Sequence, residues 1–301
     1  MYLDYFGLKE FPFGITPDTE FYFSSGVSQE ALNTLLVAAK TGEGFIKITG
    51  EVGTGKTMLC RKLMASLGPG FKVAYVPNPH IDPDSLFMEV ATELGIAFDP
   101  GTHHKHQLLR ALNDRLLELN RQGQRVVICL DEAQAMPIET LEALRLLTNL
   151  ETEKRKLVQV IIFGQPELEQ KLNHPSIRQL KQRIAFDYCL SPMVGDEIDY
   201  YIHHRLQVAG HRGGRLFTRP ALWLLKLRTK CVPRLVNIIS HKALLSAFGK
   251  GHHQVTFGDV RAAVLDTASI HPMHSTFSVW ALWLMLLASV LWLVIEKGYL
   301  R

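Results

Sequence analysis

The chain has little cysteine, no dominant sign of charge, and no repeat or low-complexity tract. Its four cysteines, Cys60, Cys129, Cys189 and Cys231, stand far apart without a C-x-x-C pair. That spacing argues against a disulfide scaffold or a thiolate zinc site and suits a reducing compartment. A net charge of +4 on 301 residues neither demands nor forbids nucleic acid. The opening, MYLDYFGLKE, carries two acids and no apolar run, so no secretory signal is read there and the bulk of the chain is expected in the cytosol. Histidines gather at His103, His104 and His106, at His203 and His204, and at His252 and His253. Adjacent histidines do not converge on one ion, and no thiolate or carboxylate recurs beside them, so no metal site is expected from these clusters.

What the chain does have is Gly50-Glu51-Val52-Gly53-Thr54-Gly55-Lys56-Thr57, followed by Met58, a match to G-x-x-x-x-G-K-[ST] at every required position. The glycines let backbone N–H groups curl around phosphate oxygens, and a helix beginning near Lys56 points its positive dipole end at the same anion. In that pattern Lys56 reaches the β- and γ-phosphates, and the Thr57 hydroxyl holds Mg²⁺. Context supports the match: residues 45–49 (FIKIT) read as a strand entering the loop, and 58–67 (MLCRKLMASL) as a helix leaving it. The implied ligand is a nucleoside triphosphate.

Before this loop, residues 1–25 are rich in aromatics. They form a packed N-terminal arm, part of which, from Phe11 to Thr16, is expected to lie against the base of the nucleotide. Ser28 is read as the cap of a helix over 29–40, ended by Gly42–Gly44. Beyond the loop a strand over 72–76 and helices over 83–94 and 107–121 lead to Val126–Leu130. This continuous apolar run marks a strand buried on both faces of a parallel sheet. It ends in Asp131-Glu132: the first carboxylate faces the metal, and the second can polarise an attacking water. A helix over 138–150 and a strand over 157–163 follow, ending at Gly164-Gln165-Pro166. Gln165 is read either as a sensor of the γ-phosphate or as turn chemistry. A helical stretch, 176–182, and a strand, 184–189, bring Arg178 and Arg183, either of which could be an arginine finger on a neighbouring subunit or a plain surface residue. From Pro192 only helices are predicted, over 194–208, 219–228, 233–248 and 257–266, with Arg234 at a helix start aimed toward the phosphates.

The second strong signal is Phe277–Ile295 (FSVWALWLMLLASVLWLVI), without a charge and holding three of the four tryptophans. At about 1.5 Å per residue it spans a hydrocarbon core of about 30 Å, so a transmembrane helix is predicted, with residues 296–301 as a short tail. Charge does not orient it: in the twenty residues before it Arg261 is the sole cation, and Lys297 and Arg301 follow it. The need for cytosolic ATP places the preceding domains in the cytoplasm.

The opening MYLDYFGLKEFPFGITPDTEFYF, GEVGTGKT, LDEAQ, LRLLTNLET, FGQPELEQKL, LKQRI and VPRLVN together resemble the AAA+ ATPases of the ExeA/MshM type. These serve bacterial envelope secretion and type IV pilus assembly. The resemblance covers residues 1 to about 267, and the short length sets the chain nearest the MshM branch, which serves MSHA pilus biogenesis. It implies an α/β P-loop NTPase core (26–191) with a parallel sheet, a small helical lid (192–270), ATP and Mg²⁺ as ligands, and a homo-oligomer. It also implies inner-membrane pilus or secretion components as partners, and a single-pass location in the bacterial inner membrane. On this resemblance Lys56 and Thr57 belong to the Walker A motif, Asp131 and Glu132 to Walker B, and Gln165 is sensor 1. Arg234 matches sensor 2, and Arg183, with Arg178 behind it, matches the finger region. Cys231 departs from the glycine that relatives often have ahead of V-P-R. ExeA-like members continue into a periplasmic domain, and with the last residue at Arg301 none is expected here. Nucleic acid is an unexpected partner, although an ATP-dependent DNA-binding switch of the transposition type is the alternative.

Overall fold

A computed structural model of the chain describes residues 2–97, 105–151 and 156–267. Five strands build one sheet: β1 (Phe45–Gly50), β2 (Phe71–Val76), β3 (Arg125–Leu130), β4 (Val158–Gly164) and β5 (Ile184–Leu190). They lie in the order β2-β3-β4-β1-β5, and every neighbouring pair is parallel. The three inner strands are buried almost end to end, which explains the unbroken apolar run of β3 and the largely apolar β1 and β4, whereas β5 alternates half-buried and exposed positions at the sheet edge. Alternate residues of the inner strands serve opposite faces. Val126, Ile128, Val160 and Ile162 pack with Leu86, Leu112, Leu141 and Leu168 from helices on one side. Val127, Cys129, Ile161 and Phe163 pack with Leu35, Leu59 and Cys60 on the other.

One inner position is charged. Lys47 of β1 is 3% exposed, and its Nζ meets Asp187 at 2.8 Å and also Glu169. Burial acts to lower its pKa, but hydrogen bonds and charge from Asp187 and Glu169 outweigh that and hold it above the ordinary lysine value.

Because β4 lies between β1 and β3, the carboxyl ends of three inner strands bring Gly50, Gln165 and Asp131 to one rim. That rim is the crevice where open α/β sheets bind ligands.

The lid holds four main helices, Glu197–Val208, Arg219–Thr229, Pro233–Gly249 and Phe257–Leu265. Their core joins Ile198, Ile202, Leu225, Val236 and Ile239 to Tyr2, Phe6, Leu8, Phe13 and Phe21, so the N-terminal arm is packed into the lid. Phe11 packs on Tyr2 and His241, with ring centroids 5.8 and 5.9 Å away.

Several local expectations need correction. The helix before the P-loop is Gly26–Thr41, capped by Ser25, whose Oγ accepts the Ser28 N–H at 3.2 Å; Ser28 is inside the first turn. The first main lid helix starts at Glu197 instead of Val194, since the Val194 N–H is taken by the Glu197 carboxylate at 2.8 Å. An unpredicted helix, Glu167–Leu172, follows Pro166. The predicted span 277–295 lies outside the described residues; among the described residues no helix is long and apolar enough to cross a membrane.

Candidate active site

The loop after β1 turns into the helix Lys56–Ser66 through Gly53 and Gly55, at φ +83° and +101°. Those values favour glycine over any residue with a side chain. At Gly50 the requirement is space, because a Cβ there would stand 2.7 Å from the Leu190 carbonyl of β5. Lys56 is 5% exposed, and its ammonium donates to the Gly50 and Glu51 carbonyls at 2.7 and 3.0 Å. Burial lowers its pKa, against the nearby charges of Glu132 and Asp131. Val52, Thr54, Thr57 and Met58 complete this wall of the cleft.

Asp131 lies beneath, 2% exposed. Burial pushes its carboxyl up, opposed by hydrogen bonds from the Thr57 hydroxyl and from the Glu132 N–H at 3.0 Å. The hydroxyl and the carboxylate therefore meet at one point, and two hard oxygen donors beside a phosphate-binding loop fit Mg²⁺.

Glu132 takes left-handed backbone, φ +53°, which turns its carboxylate into the cleft. Its Oε2 accepts from the Gln165 amide at 3.1 Å and from the Gln134 amide. Gln134 Oε1 in turn accepts the Gln165 backbone N–H at 3.0 Å. Gln165 is thus placed against Glu132, and Gln134 joins it. Gln134 received no role from sequence, although its amide two residues beyond the acidic pair was the available signal.

Arg234 also lines the cleft, and its backbone N–H donates to the Gly53 carbonyl at 3.2 Å. A Cβ at Gly53 would stand 2.6 Å from the Arg234 Cβ, so lid and P-loop are in close contact. Arg178 and Arg183 are not part of this cleft. Arg178 is exposed on the short helix Arg178–Lys181, and Arg183 Nη1 donates to Thr148 Oγ1 at 3.1 Å. The cleft's other end is walled by Gly14–Pro17 and Phe21–Phe23. Phe11, expected there, is exposed and packs its ring on Tyr2 and His241 instead. The Pro17 carbonyl is held by Arg61 Nη1 at 2.6 Å, and Lys62 Nζ sits 5.3 Å from the Tyr22 ring centroid.

Residues 39–172 match the family model of the AAA domain. Over 270 residues the chain is 40% identical to general secretion pathway protein A of Aeromonas hydrophila, covering 90% of the chain and 49% of that protein. The chain belongs to the AAA ATPases. The match bears out the resemblance to the ExeA type, and the chain spans about half the length of that curated relative. Among solved structures it is similar to Cdc6p from Pyrobaculum aerophilum, with a TM-score of 0.66, 21% identity, and 84% and 69% of the two chains covered. It is similar also to the Aeropyrum pernix ORC2 protein in ADPNP–ADP complexes, with a TM-score of 0.62, 18% identity, and 83% and 72% covered. The Thermotoga maritima RuvB Holliday junction branch migration motor aligns with a TM-score of 0.55 and 14% identity over 84% and 72%. At these identities the likeness is one of fold, the α/β P-loop fold of AAA proteins.

Proposed function

We propose that this AAA ATPase is anchored in the bacterial inner membrane by residues 277–295, with its ATPase domain in the cytoplasm. It works as a homo-oligomer in the assembly of a type IV (MSHA-like) pilus or a type II secretion apparatus. The similarity to a general secretion pathway protein over 90% of the chain supports the secretion-type role, and the uncharged run supports the anchor. The observation that carries the catalytic reading is the Glu132 carboxylate, held by Gln165 at 3.1 Å in the cleft lined by the P-loop.

The residues divide the work as follows. The backbone N–H groups of 50–57 receive the phosphates, and Lys56 exchanges its two carbonyl partners for phosphate oxygens. Glu132 takes a proton from water as the water oxygen attacks the γ-phosphorus; the bond to the β-phosphate oxygen breaks, and ADP leaves with that electron pair. Gln165 orients the carboxylate and the water. Arg234 approaches the phosphates from the lid. Arg183, with Arg178 behind it, faces the site of the next subunit and stabilises charge there. Mg²⁺, when bound by Thr57 and Asp131, neutralises phosphate charge as a Lewis acid.

The test is ATP turnover by the full chain in detergent, measured against protein concentration, with Glu132→Gln and Arg183→Ala alongside. Glu132→Gln is expected to lower turnover at least about a hundredfold with nucleotide affinity kept. Wild-type turnover should rise steeply with concentration, and Arg183→Ala should abolish that rise. Flat turnover per subunit, unchanged in Arg183→Ala, would show each site complete alone and remove the ring. Release of the chain from membranes by alkaline carbonate would remove the anchor.

A further inference from the structure

The wall at the base end of the cleft, Gly14–Pro17, continues directly from Pro12 and Phe13, and the whole segment is chain without helix or strand. It is held by the lid, whose Tyr201, Arg205 and Asn237 line the cleft beside it. Arg205, on the helix Glu197–Val208, is 5% exposed. Its Nε donates to the Pro12 carbonyl at 2.5 Å, one Nη to the Gly14 carbonyl at 3.4 Å, and the other to the Tyr201 hydroxyl at 3.1 Å. Its guanidinium carbon lies 4.8 Å from the Phe21 ring centroid. These partners are neutral oxygens and a ring face. A buried cation is costly unless hydrogen bonds replace its water, and here the replacements are two carbonyls of the wall itself. Asn237, from the helix Pro233–Gly249, adds a second hold: its Nδ2 donates to the same Gly14 carbonyl at 3.1 Å, while its Oδ1 accepts from Tyr201 at 2.8 Å. Burial raises the Tyr201 phenol pKa, so it remains a neutral donor.

We propose that Arg205 and Asn237 are the positioning residues of the base wall, so that selection of the nucleotide base is set by two lid residues acting through the backbone of Pro12–Gly14. The planar guanidinium fixes its donors in one fork, so Arg205 sets the Pro12 and Gly14 carbonyls in a defined relative geometry, a constraint that the rotatable donors of an ammonium do not impose. Ile15, Thr16 and Pro17, next along the chain, line the cleft and are fixed by this grip at one end and by Arg61 at the other. The proposal rests on the reading of the cleft as an ATP site.

The test is calorimetric titration of the full chain with ATP, GTP and inorganic tripolyphosphate, for the wild type, R205M, R205K and N237A. R205M is expected to bind ATP about tenfold more weakly, equivalent to about 1.4 kcal/mol, and to lose preference for ATP over GTP, with tripolyphosphate affinity unchanged. R205K should recover part of the preference, and N237A should show a smaller loss of the same kind. Equal weakening for ATP and tripolyphosphate, or an ATP to GTP ratio left at the wild-type value, would overturn the proposal. If R205M fails to fold, the ratio in N237A decides. A wild type that binds tripolyphosphate but discriminates no base would sink the proposal and leave the phosphate site standing. A wild type that binds neither would sink the ATP reading itself.

Discussion

Two successive residues, Lys230 and Cys231, take left-handed backbone at φ +48° and +60° without being glycine. They stand just before Val232-Pro233-Arg234, the helix start that meets Gly53, so the strain is stored where lid touches P-loop. Cys231→Gly removes a steric cost of about 1 kcal/mol and gives up the packing of a thiol that is 8% exposed. Its unfolding free energy from urea titration is therefore expected within about 1 kcal/mol of wild type. Cys231→Val places a β-branched residue at the same φ and should lose about 2 kcal/mol, with weaker ATP binding as Arg234 moves. A valine variant as stable as wild type would show that the turn relaxes freely. At this scale the phosphate-binding residues were legible because chemistry dictates both type and spacing. Gln134 and Arg205 were not, since an amide or an arginine in a helical run looks the same whether it faces water or grips a buried carbonyl.

Among the elements, the last lid helix, Phe257–Leu265, depends on one fully buried carboxylate. Asp259 accepts from the Thr256 N–H at 3.0 Å and its hydroxyl at 2.7 Å, from Ser246 at 3.1 Å, from Lys250 at 2.8 Å and from His252 at 3.0 Å. Burial acts to raise its pKa, but the hydrogen bonds from Lys250, Thr256 and His252 win and hold it well below the ordinary carboxylate value. A folded-state pKa below the unfolded one contributes stability above the unfolded value, about 4, and loses it as pH falls through that value toward the folded one. Lid stability followed by tryptophan fluorescence should thus decline below about pH 4. Asp259→Asn should cost about 2 kcal/mol near neutrality and flatten that acid limb; an unchanged limb would assign it to other groups. Inner strands were readable as largely apolar runs, unbroken over Val126–Leu130, because they are buried on both faces. The helix Glu167–Leu172 was not, being a six-residue segment with two acids and a lysine, too short to show a period. The cap fell on Ser28 instead of Ser25 because both serines suit the role, and only the extended backbone of Ser25, φ −66° and ψ 158°, decides between them.

For the whole molecule, the order β2-β3-β4-β1-β5 was not legible in the sequence, since periodicity says nothing about which strands are neighbours. The first 25 residues looked like an arm by composition, yet Tyr2, Phe6 and Leu8 are 3–5% exposed inside the lid. Burying three such side chains contributes roughly 5–8 kcal/mol, comparable with the stability of a whole domain. A chain starting at residue 10 should therefore unfold in two thermal steps, lid first, with ATP affinity lost; a single transition near the wild-type temperature would contradict this. The same threading has a mechanical consequence. The polypeptide passes from lid to sheet before Gly26 and returns after Leu190, and Glu197 ties the two passages together, one carboxylate oxygen accepting the Gly26 N–H and the other the Val194 N–H, each at 2.8 Å. A body joined at two pinned points can swing about the line through them but cannot swivel freely. A lid that moved when nucleotide bound would thereby be confined to one arc, turning a local chemical event into displacement along a fixed direction.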